Sequence, residues 1–199
     1  MIKADVSAAI KALKKGKVIV YPTDTIYGLG ADIYNEPAIR KVFDIKKRPE
    51  NMPLSIAVSN YDEIKNNAYV NNTAKILFNT FLPGKLTLIL KKKPLVSDLI
   101  TGGLDRVAIR IPDNKIALDL LSKFGPLTAT SANIHGKKTP YIISDIIMQF
   151  KRDDISVYLD FGKLAGQPST IVDVSSDKIK IIRKGSIDSK DIMEAVKNG

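Results

Sequence analysis

Cysteine is absent from this 199-residue chain, and histidine occurs once, as His135. Without cysteine there is no disulfide, no thiolate zinc site and no cysteine nucleophile. A single histidine excludes a histidine metal cluster, and its setting, Asn133-Ile134-His135-Gly136, reads as an exposed surface turn rather than part of a Ser-His-Asp triad. No apolar run approaches the roughly 20 residues of a membrane span. The N-terminal MIKADVSAAIKALKKGK is a lysine-punctuated amphipathic helix without the apolar block of a signal peptide, so the expectation is a cytoplasmic protein with no membrane partner. The familiar nucleotide signatures are also missing. There is no G-x-x-x-x-G-K-[ST], and Gly28 with Gly30 lacks the third glycine of a dinucleotide fingerprint. Internal repeats, low-complexity tracts and linkers rich in Pro, Gly or Ser are absent too, which points to a single α/β unit across residues 1–199.

Basic charge is in excess. Thirty-one Lys and Arg face 21 Asp and Glu, for a net charge of +10. Such a balance fits nucleic acid or a nucleotide as partner, or merely a lysine-rich surface. Twenty-five of the cations are lysines and six are arginines. Arginine offers a planar fork for carboxylate and phosphate that lysine cannot mimic, which directs attention to Arg48, Arg110 and Arg183.

Helical and strand patterns alternate along the chain. A helix over Val6–Lys15 stops at Gly16, and a buried strand follows at Val18–Tyr21. A helix over Glu36–Ile45 shows Ile39, Val42 and Phe43 on one face, before a strand at Leu54–Val58. Asn72 is the expected N-cap of a helix running to Phe81, and Leu86–Leu90 reads as a strand closed by a turn at Pro94. In the strand Val107–Ile111, Val107, Ile109 and Ile111 share one face while Ala108 and Arg110 share the other, which mounts Arg110 on a rigid element. Asp113 can cap the helix that carries Ile116, Leu120 and Leu121. A strand at Leu127–Thr130 leads into Ser131, and a short helix spans Ser144–Phe150. Strands at Val157–Leu159, Thr170–Val174 and Ile179–Arg183 are expected to pair largely antiparallel, because their connections are too short for helical crossovers. Asp188 starts the last helix. The expected architecture is one twisted mixed sheet flanked by helices.

The segment Tyr21–Pro53 joins a polar, glycine-punctuated loop to a basic cluster ending in proline. Two threonines and Asp24 stand where a plain turn needs one polar residue, which suggests contacts to a ligand. Pro49 biases Arg48 toward an extended backbone, so Lys46 and Arg48 are expected to project to one side with Lys47 pointing away. Ser131 and Asn133 repeat the same spacing.

TDTIYGLG with KKRP, the VAIR strand, TSAN, the run DFGKLAGQPSTIVD and then IIRKG together resemble the YrdC-like family of threonylcarbamoyl-AMP synthases, in order and over nearly the whole chain. The resemblance implies a basic concave ligand cavity. It also implies the reaction of L-threonine, bicarbonate and ATP to L-threonylcarbamoyl-AMP and pyrophosphate, which serves the threonylcarbamoyl modification of adenosine in tRNA. The family tetrad K-x-R with S-x-N falls on Lys46, Arg48, Ser131 and Asn133 as catalytic residues. Thr25, Arg110 and Ser169 match the threonine-binding positions; Arg48, Ser131, Asn133, Thr139 and Arg183 match the ATP-binding ones. Lys46 is expected between the two ligands. Magnesium is expected to arrive with ATP, without a protein metal cage, and a downstream tRNA threonylcarbamoyl transferase complex is the expected recipient of the product. Longer members of the family carry a further C-terminal domain, which is not expected here. Many relatives have a polar residue where this chain has Met52, and some have histidine at Ala57, so contacts from those positions do not transfer. The competing reading is a non-catalytic RNA-binding module with a basic cavity, favoured by the charge and disfavoured by the lack of aromatics interleaved among the cations.

Overall fold

The structure, a computed structural model, describes residues 5–151, 153–164 and 166–199; the first four residues of the N-terminal segment and Ala165 of the DFGKLAG run lie outside the described residues. The order of elements is α1 (Val6–Lys14), β1 (Ile19–Tyr21), β2 (Gly28–Gly30), α2 (Glu36–Lys46), β3 (Ser55–Ala57), α3 (Tyr61–Asn67), β4 (Ala68–Tyr69), α4 (Asn72–Phe81) and β5 (Leu86–Lys92). There follow α5 (Asp98–Thr101), β6 (Arg106–Arg110), α6 (Lys115–Phe124), β7 (Leu127–Thr128), β8 (Thr130–Ser131), α7 (Ile143–Ile147), β9 (Val157–Tyr158), β10 (Thr170–Asp173), β11 (Lys180–Arg183) and α8 (Ser189–Asn198).

The strands form two twisted mixed sheets rather than one. The smaller runs β8-β2-β1-β9; the larger runs β11-β10-β5-β6-β3-β7, with β4 paired to β5. The chain crosses between them at Ala129, where β7 ends one sheet and β8 begins the edge of the other. Backbone bonds from Thr128 N to Ala31 O and from Ala129 N to Ser55 O tie the crossing in place. One apolar cluster lies under the larger sheet with α2 and α4, and a second gathers Leu13, Ile19, Tyr21, Leu120 and Leu127 between α1 and α6.

Local sequence explains most helix ends. Asp5 caps α1 by accepting from Ala8 N, and Asn35 caps α2 by accepting from Ala38 N. Two expected caps move by one residue. Asn71, not Asn72, caps α4, and Asn114, not Asp113, caps α6 by accepting from both Ile116 N and Ala117 N. Asparagine offers the same acceptor geometry as aspartate, so composition alone could not choose between neighbours.

The three late strands depart further from expectation. β9 pairs parallel with β1 in the smaller sheet, and β10 pairs parallel with β5; only β10 and β11 are antiparallel to each other. β9 and β10 each find a parallel partner far back in the chain, so the short connections did not determine their pairing, whereas β11 joins β10 antiparallel as expected. The YGLG segment, expected as a loop, is β2. Its glycines lie under the Tyr21 ring, and a Cβ on Gly30 would sit 3.0 Å from that ring. Tyr21 fills the space their missing side chains leave and donates its hydroxyl to Thr128 O.

Candidate active site

A cavity of about 370 Å³ opens where the two sheets meet. Its far wall follows from strand register. Ile171 on β10 lies opposite Arg183 on β11 and opposite Thr87 on β5, and one step along the β5–β6 ladder brings Arg110 into the same row. Three strand spacings separate the Arg183 and Arg110 backbones, roughly 14 Å. Two guanidiniums thus head opposite ends of one row. Gly28, Thr130 and Ser131 from the smaller sheet, and Arg48, Pro53 and Ser55 from the α2–β3 segment, complete much of the rest. The ionisable groups on this surface are Arg48, Arg110, Arg183 and the Tyr27 hydroxyl, with no carboxylate among the described lining residues.

Arg110 is buried. It donates from Nη1 to Thr25 Oγ1 at 3.0 Å, and from Nη2 to Gly84 O at 3.2 Å and to Asp24 Oδ1. Burial lowers its pKa, and the charge of Asp24 and the Tyr21 hydroxyl push it back up. Thr23 accounts for part of the polarity of the 22–27 loop, since its hydroxyl accepts from Thr25 N and Ile26 N and donates to Ile26 O. The surplus that suggested a ligand is therefore partly internal. Asp24 and Thr25 carry the remainder onto Arg110.

At the other end, Arg183 grips Ser169 through Nε and Nη2 to its carbonyl and Nη2 to its hydroxyl. Burial, then repulsion from Arg110, lowers the Arg183 pKa. The Ser169 hydroxyl also shares a 2.8 Å hydrogen bond with buried Thr87. Arg48 folds back over its own loop, donating to Met52 O at 3.3 Å and Pro53 O at 2.9 Å, with Nη1 3.5 Å from Nδ1 of exposed His135. Tyr27 fastens the 160–162 segment at the rim. Its hydroxyl donates to Gly162 O and accepts from Phe161 N, and burial raises its pKa to about 12.

Of the nine residues singled out from sequence, Thr25, Arg48, Arg110, Ser131, Thr139, Ser169 and Arg183 line this cavity. Lys46 and Asn133 do not. Lys46 is 1% exposed, and its Nζ donates to Ser131 O at 2.5 Å and Asn133 O at 2.7 Å, while its own carbonyl accepts from His135 N at 2.7 Å. The side chain of Asn133, 6% exposed, donates to Ile134 O and Lys137 O and accepts from Ser131 Oγ. Both residues brace the turn that carries Ser131. The extended backbone expected at 46–48 is replaced by the end of α2 and a left-handed Lys47 at φ 50°, so Lys46 turns inward while Arg48 reaches the cavity. Burial and the charge of Arg48 push the Lys46 pKa down to about 7, against three nearby oxygen acceptors that favour the ammonium.

Sequence reasoning missed Tyr27 and Thr87 on this wall and gave no named role to Asp24, which stands behind Arg110. Asp24 had a signal in its surplus polarity; Thr87 had none, because a threonine in an apolar strand is ordinary. Among the described residues no cluster of three His, Cys, Asp or Glu could hold a metal ion, and no helix is long and apolar enough to cross a membrane.

These features define an α/β protein whose arginine-walled cavity, set between two mixed sheets, suits ligands bearing more than one anionic group. A family model named for Sua5, YciO and YrdC, and described as "Telomere recombination", matches residues 11–185. The chain belongs to this YrdC-like family. A Methanocaldococcus jannaschii protein is 44% identical over 178 residues, covering 89% of this chain and 84% of its own length. A Pyrococcus abyssi protein named threonylcarbamoyl-AMP synthase is 35% identical over 92% of this chain, which spans only 55% of that relative. The crystal structure of P. abyssi Sua5 complexed with L-threonine superposes with a TM-score of 0.92 at 34% identity, over 96% of this chain and 56% of that one.

Proposed function

We propose that this chain is a threonylcarbamoyl-AMP synthase, a nucleotidyltransferase that joins L-threonine, bicarbonate and ATP into L-threonylcarbamoyl-AMP and releases pyrophosphate. The observation that carries this reading is the placement of Arg110 and Arg183 at the two ends of one cavity row, with Arg48 on a third wall. The threonine complex of the P. abyssi relative supports the amino-acid half.

Arg110 with Thr25 receives the threonine carboxylate, and Ser169 contributes beside it. Arg48, Ser131, Thr139 and Arg183 take the nucleotide phosphates. Lys46 and Asn133 act on Ser131 through the turn they brace. Bicarbonate gives up hydroxide to become carbon dioxide, the neutral threonine amine attacks that carbon, and the proton shed by the nitrogen joins the hydroxide as water, leaving a carbamate. A carbamate oxygen then attacks the α-phosphorus of ATP, forming the mixed anhydride as the bond to pyrophosphate breaks. Carboxylate, carbamate and triphosphate must approach one another, so positioning and charge stabilisation by guanidiniums supply the catalysis. No covalent enzyme intermediate is required.

Magnesium belongs to this proposal as a companion of ATP. The cavity wall presents hydroxyls and guanidiniums but no carboxylate among its described residues, a donor set that does not fit a protein-held magnesium ion. No step is assigned to the metal. The product, a reactive anhydride, would pass to a tRNA threonylcarbamoyl transferase complex in the cytoplasm, and surface lysines could give weak RNA affinity.

Pyrophosphate release is the test, measured from ATP and magnesium with threonine and bicarbonate each supplied or withheld. Release that requires both supports the synthase. Release indifferent to both, together with salt-sensitive RNA binding that ignores threonine and ATP, would favour the RNA-binding module instead.

A further inference from the structure

Among the described residues, the buried side-chain polar atoms that lack a hydrogen-bond partner are Asp24 Oδ2 and Arg110 Nε. They belong to one ion pair whose side chains are each 7% exposed. Arg110 spends both terminal nitrogens on Thr25, Gly84 and Asp24, leaving the Nε–H donor unused. Asp24 spends one oxygen and leaves one acceptor. Buried polar atoms in folded proteins are almost always paired, so two orphans on adjoining side chains, one of them the lining residue Arg110, mark a place completed by something else.

The orphans specify the chemistry of that ligand. One is a donor on a cation and the other an acceptor on an anion. A fully ionised phosphate would satisfy the donor and be repelled by the carboxylate, and bicarbonate could offer its single O–H to Asp24 only by setting a second anion against it. An α-amino acid satisfies both, because its carboxylate accepts and its amine donates from the same carbon. No carboxylate is among the described residues lining the cavity; Asp24 stands behind the lining residue Arg110, to which it is bonded, and its unpaired oxygen can take the amine.

We infer that Asp24 recognises the amine of the amino-acid substrate, next to the Arg110 guanidinium that receives its carboxylate; this rests on the threonine reading above. Asp24 then has two successive partners. It first neutralises Arg110 alone, and when substrate arrives it shares Arg110 with the substrate carboxylate and turns its second oxygen to the amine nitrogen. That contact orients the nitrogen that must attack carbon dioxide, and it excludes hydroxy acids of the same length.

The test is calorimetric titration of wild type and Asp24→Asn with L-threonine and with 3-hydroxybutyrate, the same skeleton without the amine. Asparagine keeps the shape and one acceptor oxygen but loses the charge. Wild type should prefer L-threonine by about tenfold to a hundredfold, the range of a charge-assisted hydrogen bond. In D24N the two affinities should come within about threefold, chiefly through loss of threonine affinity. A D24N protein that keeps the wild-type preference, or that loses both ligands in equal proportion, would reduce Asp24 to a structural counter-ion. Should D24N fail to fold, equal wild-type affinities for the two ligands would overturn the inference unaided. Wild type that binds no L-threonine at all would overturn the functional reading itself, a separate result.

Discussion

Replacing Lys46 by methionine keeps the length of the side chain and removes the nitrogen that holds Ser131 O and Asn133 O. Asn133 O is left orphaned, at a cost of about 1–3 kcal/mol, while Ser131 O loses one donor and keeps its 2.9 Å bond from Asn133 N. Against that, methionine has no ammonium to desolvate, and burial with the charge of Arg48 already draws Lys46 from 10.5 to about 7. The two effects oppose, leaving the variant destabilised by about 2 kcal/mol at pH 7. The pH dependence gives a sharper signature. A lysine whose pKa is lower folded than unfolded binds fewer protons in the native state between pH 7 and 10.5. The Lys46 contribution to wild-type stability therefore rises with pH across that window, and K46M lacks that rise. The gap between the proteins should widen by about 2 kcal/mol from pH 7 to pH 9. For a chain of this size the midpoint should fall by about 4–8 °C at pH 7, and further at pH 9. Thermal unfolding at both pH values, with separate titrations of ATP and threonine, completes the experiment. ATP affinity should fall because Ser131 moves, while threonine affinity should survive because Arg110 and Thr25 hang from β6 and the 22–27 loop. A K46M protein that unfolds with the wild type, binds both ligands normally and yet fails to turn over would refute the bracing role and place Lys46 at the reacting groups.

Arg110→Lys leaves a point charge that cannot serve Asp24, Thr25 and Gly84 together; threonine affinity should drop by about tenfold to a hundredfold with ATP affinity close to wild type. Equal loss of both ligands in calorimetry would contradict a dedicated amino-acid subsite. Tyr27→Phe removes the donor to Gly162 O and the acceptor for Phe161 N, at a cost of about 1–2 kcal/mol. Faster hydrogen exchange at the Phe161 amide is the expected readout, and unchanged exchange would mean that the segment is held by other contacts. Gly185→Ala would place a Cβ within 2.5 Å of Pro168 O and Ser169 O, so the backbone carrying Ser169 must shift. A loss of about 1–3 kcal/mol is expected in chemical denaturation, with weaker threonine binding, and an unaffected variant would show that this backbone yields freely.

Strand periodicity alone puts Arg110 on the face opposite Ile109, and that face is the cavity wall. Glycine, proline and asparagine mark most of the helix ends, with cap errors of a single residue. The motif pieces name nine residues, of which seven line the cavity and two, Lys46 and Asn133, lie behind it. Spacing and motif both put Lys46 beside Arg48 and Asn133 beside Ser131, and the structure separates them, with only Arg48 and Ser131 on the wall. A two-residue interval places side chains together only on extended backbone, and α2 runs through Lys46 to a left-handed Lys47.

By itself the sequence determined most of the longer elements, the family and the scarcity of arginine that made three of them informative. All of these depend on residues close together in the chain or on motif identity. Tertiary structure decided that the strands split into two sheets, that Arg183 and Arg110 head one row, and that Asp24 meets a guanidinium 86 residues away. Local periodicity states which face a side chain occupies. What stands opposite that face is set by register between distant strands, and burial then decides whether a cation such as Lys46 serves a ligand or the backbone.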